Sequence, residues 1–226
     1  MKSLSKKLLA VVLCAVFLVA LSGCSSIQDM LQPFKADNYV HYTLDATYKA
    51  EFTEYCEQVH ITEEEAQQNY LDGIESEIDK FAKMYSIKSI PDTLHSQLVE
   101  FYKKVYAKAS YEVKAPSKKD GVYYVEVTVN PIDLFRISYT EIQEFVNDFN
   151  NRVVAGEFNT YSDEQFEEYY AGGILDICLK NLDTSGYTEP KSTTVRVKKN
   201  DTDGVYYLVT EDLYNLYQTV IDYQES

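Results

Sequence analysis

The pentapeptide DGVYY occurs twice in this chain, at residues 120–124 and at residues 203–207. Residues that alternate between apolar and polar flank both copies. Alternation on both sides of an Asp-Gly turn is typical of an antiparallel β-hairpin. We therefore expect two hairpins, in which the pentapeptide forms the turn and the start of the returning strand. The alternating residues are Tyr111, Val113, Ala115, Tyr123, Val125, Val127 and Val129 in the first hairpin, and Thr193, Val195, Val197, Tyr206 and Leu208 in the second.

Two further matches precede the pentapeptides, in the same order in each half. Residues 62–74 and 162–174 share a Ser or Thr, an acid and the pattern Tyr-x-x-Gly-Ile. Upstream of them, Glu51-Phe52 with Tyr55 matches Glu157-Phe158 with Tyr161. Three matches in one order predict an internal duplication, in which the first copy is the longer.

The segments around these matches predict amphipathic helices. Thr62-x-x-Glu65 and Ser162-x-x-Gln165 are capping boxes that start a helix in each half. An upstream helix precedes each box, Pro91 opens a third helix in the first half, and a last helix ends the second. The apolar residues at three- and four-residue steps are Val40, Leu44, Tyr48, Ala66, Tyr70, Ile74, Ile78, Phe81, Tyr85, Leu94, Leu98, Phe101, Val105, Ile142, Phe145, Phe149, Val153, Phe166, Tyr170, Ile174, Cys178, Leu182, Leu213, Leu216, Val220 and Tyr223.

Each copy thus consists of helices followed by a hairpin, which predicts an α+β protein built from two related modules. Residues 38–131 form the first module, with three helices and a hairpin. Residues 132–226 form the second, with two helices, a hairpin and a C-terminal helix. The order of elements resembles nuclear-transport-factor-like and cystatin-like folds, an analogy that rests on order alone. We also expect Gly156 to cap the helix before it in a left-handed conformation, and Ala50 to stand in the equivalent place.

Residues 1–23 have the pattern of a targeting segment. Three lysines precede fourteen apolar residues, 8–21, a run too short to span a bilayer core of about 30 Å comfortably. The run ends in Leu21-Ser22-Gly23-Cys24, which resembles the lipobox of bacterial lipoproteins. An ordinary signal peptide or an uncleaved anchor is the alternative. We expect cleavage before Cys24, lipid attachment and palmitate incorporation at that cysteine, a tether over residues 24–37, and an extracytoplasmic protein anchored to the cell membrane.

The charge of the chain restricts its partners. Residues 1–23 carry three lysines and no acid, so the chain from Cys24 onward has a net charge of −18. Such a surface repels nucleic acid, anionic lipid headgroups and anionic wall polymers. We therefore expect membrane attachment through lipid, a protein, peptide or glycan partner, and no binding of nucleic acid.

Residues 44–70 (LDATYKAEFTEYCEQVHITEEEAQQNY), the step Asn130-Pro131-Ile132-Asp133 and residues 203–216 (DGVYYLVTEDLYNL) resemble a group of uncharacterised lipoproteins from Gram-positive gut anaerobes. The resemblance covers nearly the whole chain after Cys24. It implies a cell-surface location and no particular activity. Members of the group usually have glycine where this chain has Ala50, whereas Gly156 keeps the glycine in the second copy.

No linear motif points to catalysis or metal binding. His41, His60 and His95 are too scattered to form a ligand set. Residues 200–204 resemble the start of a calcium loop, but a predicted strand occupies the positions where further ligands are needed. The acids at 63–65 and 163–168 lie in first turns of helices, where the macrodipole favours them. We predict no catalytic residue, no metal site and no cofactor.

Two cysteines remain after Cys24, and their state is open. Cys56 and Cys178 can form a disulfide in an extracytoplasmic protein or can remain small buried side chains. The chain also has 21 tyrosines and no tryptophan. Most tyrosines fall on apolar stripes, and Tyr124 and Tyr207, opposite in phase to their neighbours, are the candidates for an exposed pair.

These observations predict a lipid-anchored, non-catalytic binding or scaffold module whose ligand the sequence does not name. The module junction, residues 130–138, is the expected contact region. The alternatives are an extracytoplasmic hydrolase whose active site forms no linear motif, or the solute-binding component of a transporter.

Overall fold

The computed structural model describes residues 34–223, so the predicted signal peptide, the lipid-attachment site Cys24 and most of the tether lie outside the described residues. Within this range the chain is α+β, as expected. The elements in order are α1 (Ala36–Lys49), α2 (Thr53–Val59), α3 (Glu63–Met84), α4 (Asp92–Tyr106), β1 (Ser110–Val113), β2 (Ser117–Lys119), β3 (Val122–Asn130), α5 (Leu134–Val154), α6 (Asp163–Leu182), β4 (Lys191–Lys199), β5 (Tyr206–Leu208) and α7 (Thr210–Tyr217). None of these helices is long and apolar enough to cross a membrane.

Both predicted hairpins are present in one sheet with the strand order β1-β3-β4-β5, in which β2 also pairs with β3. In the first hairpin Lys119 lies opposite Val122, so Asp120 and Gly121 form a two-residue turn with φ values of 50° and 80°. Two positive φ values are the geometry that matches the twist of the strands, which explains the Asp-Gly sequence. The second hairpin joins antiparallel β4 and β5 through a longer turn, closed by the amide of Asn200 donating to Val205 O at 2.8 Å.

The capping boxes predicted in the two halves are both present. The Glu65 amide donates to Thr62 Oγ1 at 3.2 Å, and the Thr62 amide donates back to Glu65 Oε2 at 2.9 Å. Ser162 and Gln165 form the same reciprocal pair, at 3.2 and 3.0 Å. The duplication as a whole remains a prediction that these matched caps support.

The left-handed residues predicted after the first helix of each half are also confirmed. Ala50 ends α1 with φ 54° and ψ 34°, and Gly156 follows α5 with φ 81°. A side chain at a left-handed position is strained, whereas glycine adopts the conformation freely.

Ala50→Gly is therefore expected to raise the free energy of unfolding by about 1 kcal/mol. Gly156→Ala is the reciprocal variant and should destabilise, because its Cβ would also lie 2.8 Å from Asn159 Nδ2. Urea unfolding followed by circular dichroism measures both changes. A lower midpoint for Ala50→Gly than for wild type would contradict this reading of the strain.

Two helical predictions need correction. The short helix α2 was not expected, because its seven residues fall below the length at which apolar periodicity is informative. The last helix ends at Tyr217 and does not continue to Tyr223 as predicted. A turn covers residues 218–220, and Ile221 then forms a bridge with Ile132, whose amide donates to Val220 O at 2.9 Å. Val220 and Tyr223 are apolar because this non-helical segment is buried, and their spacing resembles that of a helix.

The chain folds into two compact units, each assembled from separated segments. Among the described residues, unit 1 comprises 34–72, 111–129 and 191–219, and unit 2 comprises 73–110, 130–190 and 220–223. The units are defined by contacts, whereas the two modules describe a repeat along the sequence, and the module boundaries remain a prediction.

Each unit has its own buried apolar side chains. Those of unit 1 come from α1 and from one face of the sheet, and include Val40, Leu44, Tyr48, Val125, Val127, Val195, Val197 and Leu208. Those of unit 2 come mainly from its helices, and include Ile74, Phe81, Leu94, Leu98, Phe101, Tyr102, Ile132, Leu134, Ile142, Ile174 and Leu175.

The two cysteines are free thiols. Cys56 is half-buried in unit 1 and Cys178 is buried in unit 2. Burial raises the pKa of Cys56, and it raises the pKa of Cys178 to about 12. Both thiols are therefore protonated and poorly nucleophilic at neutral pH.

Candidate functional site

A groove of about 380 Å³ lies in unit 2, beside the start of α5. Part of its wall comes from residues 130–138, the predicted contact region. The lining residues are Asp133, Arg136, Ile137, Tyr187, Thr188, Glu189 and Pro190. We call this the Arg136 groove.

Backbone hydrogen bonds bring the two lining segments together. Ile132, fully buried, forms an antiparallel bridge with Tyr187 and a parallel bridge with Ile221. The amide of Thr188 donates to Pro131 O at 2.8 Å, which continues the pairing by one residue. The step Asn130-Pro131-Ile132-Asp133 thus leaves the sheet and serves as a short pairing strand for residues distant in sequence.

Asp133 fixes one end of the groove. It occupies the N-cap position of α5, but its side chain does not cap the helix. Its Oδ1 instead accepts a hydrogen bond from the amide of Gly186 at 2.8 Å, and its own amide donates to Gly186 O at 3.2 Å. The carboxylate therefore ties the groove's two segments together.

Arg136 is the cation of the groove and is loosely held. Its side chain is 61% exposed, and its Nη1 lies 3.9 Å from Asp222 Oδ2. An exposed pair at this separation contributes little to stability, so the guanidinium is available to another anion. Its planar fork of donors suits a carboxylate.

Apolar surface adjoins this charge. Ile137 is 40% exposed and Tyr187 is 47% exposed, while Pro190 is exposed at the edge. The Tyr187 hydroxyl donates to Lys108 O at 2.8 Å, which fixes the ring in place. A ring anchored by its hydroxyl offers a large contact area that loses little conformational freedom on binding.

Thr188 adds a hydroxyl to the wall. Its Oγ1 is buried without a hydrogen-bond partner in the described structure, as are Ser138 Oγ and Asn181 Nδ2. Buried polar atoms in native proteins nearly always have partners, so each such atom requires an explanation. The groove therefore offers a guanidinium, an aromatic face and aliphatic surface, which are groups suited to recognition, whereas the Thr188 hydroxyl is buried within its wall.

The histidines are not among the lining residues of the groove, and His41 and His95 pair with nearby carboxylates. His41 Nε2 lies 3.1 Å from Asp45 Oδ2, and His95 Nε2 lies 2.9 Å from Glu75 Oε2. His60 ends α2 with φ 59°. Across residues 34–223, no group of three or more His, Cys, Asp or Glu side chains is placed to hold a metal ion.

The loop at residues 200–204 uses its polar groups internally. Asn200 Oδ1 accepts from the Thr202 amide and Asp203 Oδ1 accepts from the Val205 amide, both at 2.9 Å. These bonds shape a turn, consistent with a hairpin connection.

The pair predicted to be exposed, Tyr124 and Tyr207, is not more exposed than its neighbours, since Tyr123 and Tyr206 are half-buried as well. Tyr124 and Tyr207 are half-buried and lie beside Arg196 and Lys198 in the register of the sheet. The tyrosines in contact are Tyr123 and Tyr206, whose ring centroids are 6.0 Å apart. Phe34 stacks on Tyr206 at 3.7 Å, a contact from the distant N-terminal segment that alternation along the strands could not indicate.

A buried polar chain in unit 2 was also not foreseen. The Tyr223 hydroxyl donates to Glu77 Oε2 at 2.6 Å and lies 3.1 Å from the Tyr102 hydroxyl. Lys80 Nζ lies 4.0 Å from the centroid of the Tyr223 ring. Burial raises the pKa of Glu77, while the Tyr223 hydrogen bond and Lys80 act in the opposite direction.

This raised pKa predicts a pH dependence. The folded state binds the Glu77 proton more tightly than the unfolded state, so stability falls as pH rises from the ordinary glutamate pKa, about 4.3, through the raised value. Glu77→Gln should remove this fall. The free energy of unfolding of the variant should therefore increase relative to that of wild type as pH rises. Urea unfolding across that range measures the trend, with the exposed Glu57→Gln as control. A constant difference from wild type at all pH values would contradict it.

Neither protein-family profiles nor the curated proteins contain a match to this chain. Among solved structures, the chain is similar to that of a candidate lipoprotein, ycdA, from Bacillus subtilis. The TM-score is 0.56 at 17% sequence identity, over 86% of this chain and 58% of that chain. This chain therefore spans less than two thirds of its neighbour, and the likeness at this identity concerns the α+β fold alone.

Proposed function

We propose that this protein is a lipid-anchored cell-surface module that binds a partner in the Arg136 groove without catalysis. The observation that carries the proposal is the exposed, loosely paired Arg136 guanidinium beside the fixed ring of Tyr187. The lipobox-like sequence before Cys24 supports the anchor, and the structural neighbour is itself described as a candidate lipoprotein.

The side chains that line the groove restrict the chemical class of the partner. A carboxylate next to an apolar or ring surface would satisfy Arg136 and cover Tyr187 at the same time. Asp133 and Glu189 also line the groove and would repel a densely anionic polymer. The favoured ligand is a protein, peptide or glycan with an isolated carboxylate.

Capture from native cell surfaces tests the proposal. The bait is the chain from residue 24 onward with Cys24→Ser, and its captured material is compared with that of groove variants. The same bait is assayed against glycosidase, peptidase, esterase and phosphatase substrates. Partners that bind equally to all variants would contradict binding in the groove, and turnover lost on changing Asp133 or Glu189 would contradict its non-catalytic character.

Arg136→Glu is expected to weaken binding of the captured partner by tenfold or more. Loss of a charge-assisted hydrogen bond costs about 1.5–3 kcal/mol, and about 1.4 kcal/mol corresponds to tenfold in affinity. Lys104→Glu, the same charge change at an exposed site of unit 2, is the control and should bind as wild type. Isothermal titration calorimetry gives the two affinities.

Tyr187→Ala tests the apolar half of the groove in the same assay. Tyr214 is equally exposed, at 47%, so Tyr214→Ala is its matched control. Weakening by Tyr187→Ala alone supports the groove, and equal effects at the two tyrosines would count against it.

A further inference from the structure

A cluster of three aromatic rings lies at the turn ends of the two hairpins in unit 1. Phe34 stacks on Tyr206 with an interplanar angle of 6° and a centroid distance of 3.7 Å. Its centroid also lies 5.7 Å from that of Tyr123, and the two tyrosine centroids are 6.0 Å apart. With Lys118 and Lys199, these residues form what we call the hairpin-tip surface.

The register of the sheet explains why these side chains share a face. Lys118 lies opposite Tyr123, and Lys199 lies opposite Tyr206. Val197 lies between them, opposite Tyr123 on one side and Leu208 on the other. Since side chains at alternate positions point to the same face, the tyrosines and both lysines end on one side of the sheet.

The two lysines flank the rings. Lys118 Nζ lies 4.5 Å from the centroid of Tyr123 and donates to its hydroxyl at 3.1 Å. Lys199 Nζ lies 5.7 Å from the centroid of Tyr206. Both lysines are exposed, so their charges face solvent at the edge of the aromatic cluster.

The charge here is opposite to that of the chain as a whole. The segments 34–35, 117–122 and 198–206 hold five lysines against three aspartates, in a chain whose net charge is −15. One of these acids, Asp203, is already bonded to the Val205 amide and to Asn200. Val205 itself is apolar and 49% exposed in the second turn.

The position of Phe34 in the sequence limits the distance between the hairpin-tip surface and a lipid attached to Cys24. Phe34 is ten residues after Cys24, and ten extended residues span at most about 35 Å. A lipid on Cys24 would therefore keep the hairpin-tip surface close to the bilayer. This step rests on the lipid anchor of the proposed function and is independent of the Arg136 groove.

We propose that the hairpin-tip surface lies against an anionic lipid bilayer. Aromatic rings with polar edges favour the headgroup region, and lysines near the surface are attracted to anionic headgroups. The exposed Val205 and the ring edges enter the interface, while Lys118 and Lys199 bind phosphate groups. The contact orients unit 1, whose charge would otherwise drive it away from the membrane.

Fluorescence quenching on vesicles tests this contact with the full lipidated protein. An environment-sensitive fluorescent amino acid replaces Val205 in one sample and the exposed Glu57 in another. The vesicles contain spin-labelled phospholipid, with or without phosphatidylglycerol. We expect quenching at position 205 to exceed that at position 57 by about twofold or more, and to require the anionic lipid.

Charge reversal provides the matched comparison. Lys118→Glu with Lys199→Glu should abolish the excess quenching at position 205, whereas Lys83→Glu with Lys104→Glu, exposed lysines elsewhere, should retain it. The dependence of quenching at position 205 on phosphatidylglycerol needs no substitution of Lys118 or Lys199, so it remains a test if the double variant misfolds.

Vesicle flotation distinguishes failure of the hairpin-tip contact from failure of the lipid anchor. Protein that floats with the vesicles but is quenched equally at positions 205 and 57 would overturn the hairpin-tip contact and leave the anchor intact. Protein that does not float would overturn both.

Discussion

Removal of residues 220–226 is expected to lower the free energy of unfolding by about 5 kcal/mol or more. Val220, Ile221 and Tyr223 are 1%, 4% and 8% exposed, and burial of each such side chain stabilises by about 1.5–3 kcal/mol. The deletion also removes the two backbone bonds that Ile132 makes, from its amide to Val220 O and from the Asp222 amide to its carbonyl, both at 2.9 Å. A loss of this size is comparable to the whole stability of a typical domain.

Two further variants separate the contributions to this loss of stability. Deletion of residues 224–226 alone is the matched control, because the contacts named above are made by residues 220–223. Tyr223→Phe keeps the ring stacked on Phe135 at 4.5 Å but removes the hydroxyl shared with Glu77, and should cost about 1–2 kcal/mol. Urea unfolding of the three variants gives the values. A truncated chain as stable as wild type would show that the C-terminal segment does not stabilise unit 2.

Gly173→Ala is expected to destabilise by about 1–3 kcal/mol, whereas Gly172→Ala should stabilise by about 0.5–1 kcal/mol. Both glycines lie within α6, where alanine is intrinsically the better residue. A Cβ at position 172 would meet no atom within 4 Å, but one at position 173 would lie 2.2 Å from Phe145 Cζ. Two other atoms of the Phe145 ring would lie within 3 Å, so the ring would have to move.

A second substitution checks the cause. Phe145→Leu shortens the opposing side chain, so Gly173→Ala should cost less in that background than in wild type. The coupling is obtained from a double-mutant cycle of unfolding free energies. Equal effects of alanine at 172 and 173, or no coupling with position 145, would contradict close packing of the ring on Gly173.

Both glycines of the shared pattern lie next to an aromatic side chain from another helix, which the sequence did not reveal. In the pattern Tyr-x-x-Gly-Ile, Gly173 is approached by Phe145, and the carbonyl of Gly73 accepts a hydrogen bond from the Tyr106 hydroxyl at 3.2 Å. Of the two, Gly173 alone requires the absence of a Cβ, since a Cβ at position 73 would lie at an ordinary 3.6 Å from the Tyr106 hydroxyl. The aromatic partners come from different places in the two halves, so sequence matching could not identify them.

Features encoded within a few residues were predictable. The capping boxes, the Asp-Gly turn and the left-handed Ala50 depend on neighbouring residues alone, and the structure has all three. The chain of Glu77, Tyr102 and Tyr223 joins residues as much as 146 positions apart, which no local pattern encodes. The same limit explains why the final helix was predicted too long, since buried residues of a non-helical segment can have the apolar spacing of a helix.

The candidate site was half predictable. Residues 130–138, the module junction, were the predicted region of contact with a partner, and they supply Asp133, Arg136 and Ile137 to the groove. Residues 187–190 were not expected there. They are brought in by the bridge between Ile132 and Tyr187, which pairs two short segments without the alternation of a recognisable strand.

Site-specific photocrosslinking on living cells measures binding in the Arg136 groove directly. A photoreactive amino acid replaces Ile137 in the groove or Glu57 on the surface of unit 1, in the protein expressed from residue 1. We expect a discrete crosslinked partner from position 137, none from position 57, and loss of the adduct when Arg136→Glu is added. Equal adducts from both positions, or an adduct at 137 that persists in the Arg136→Glu variant, would contradict binding through this groove.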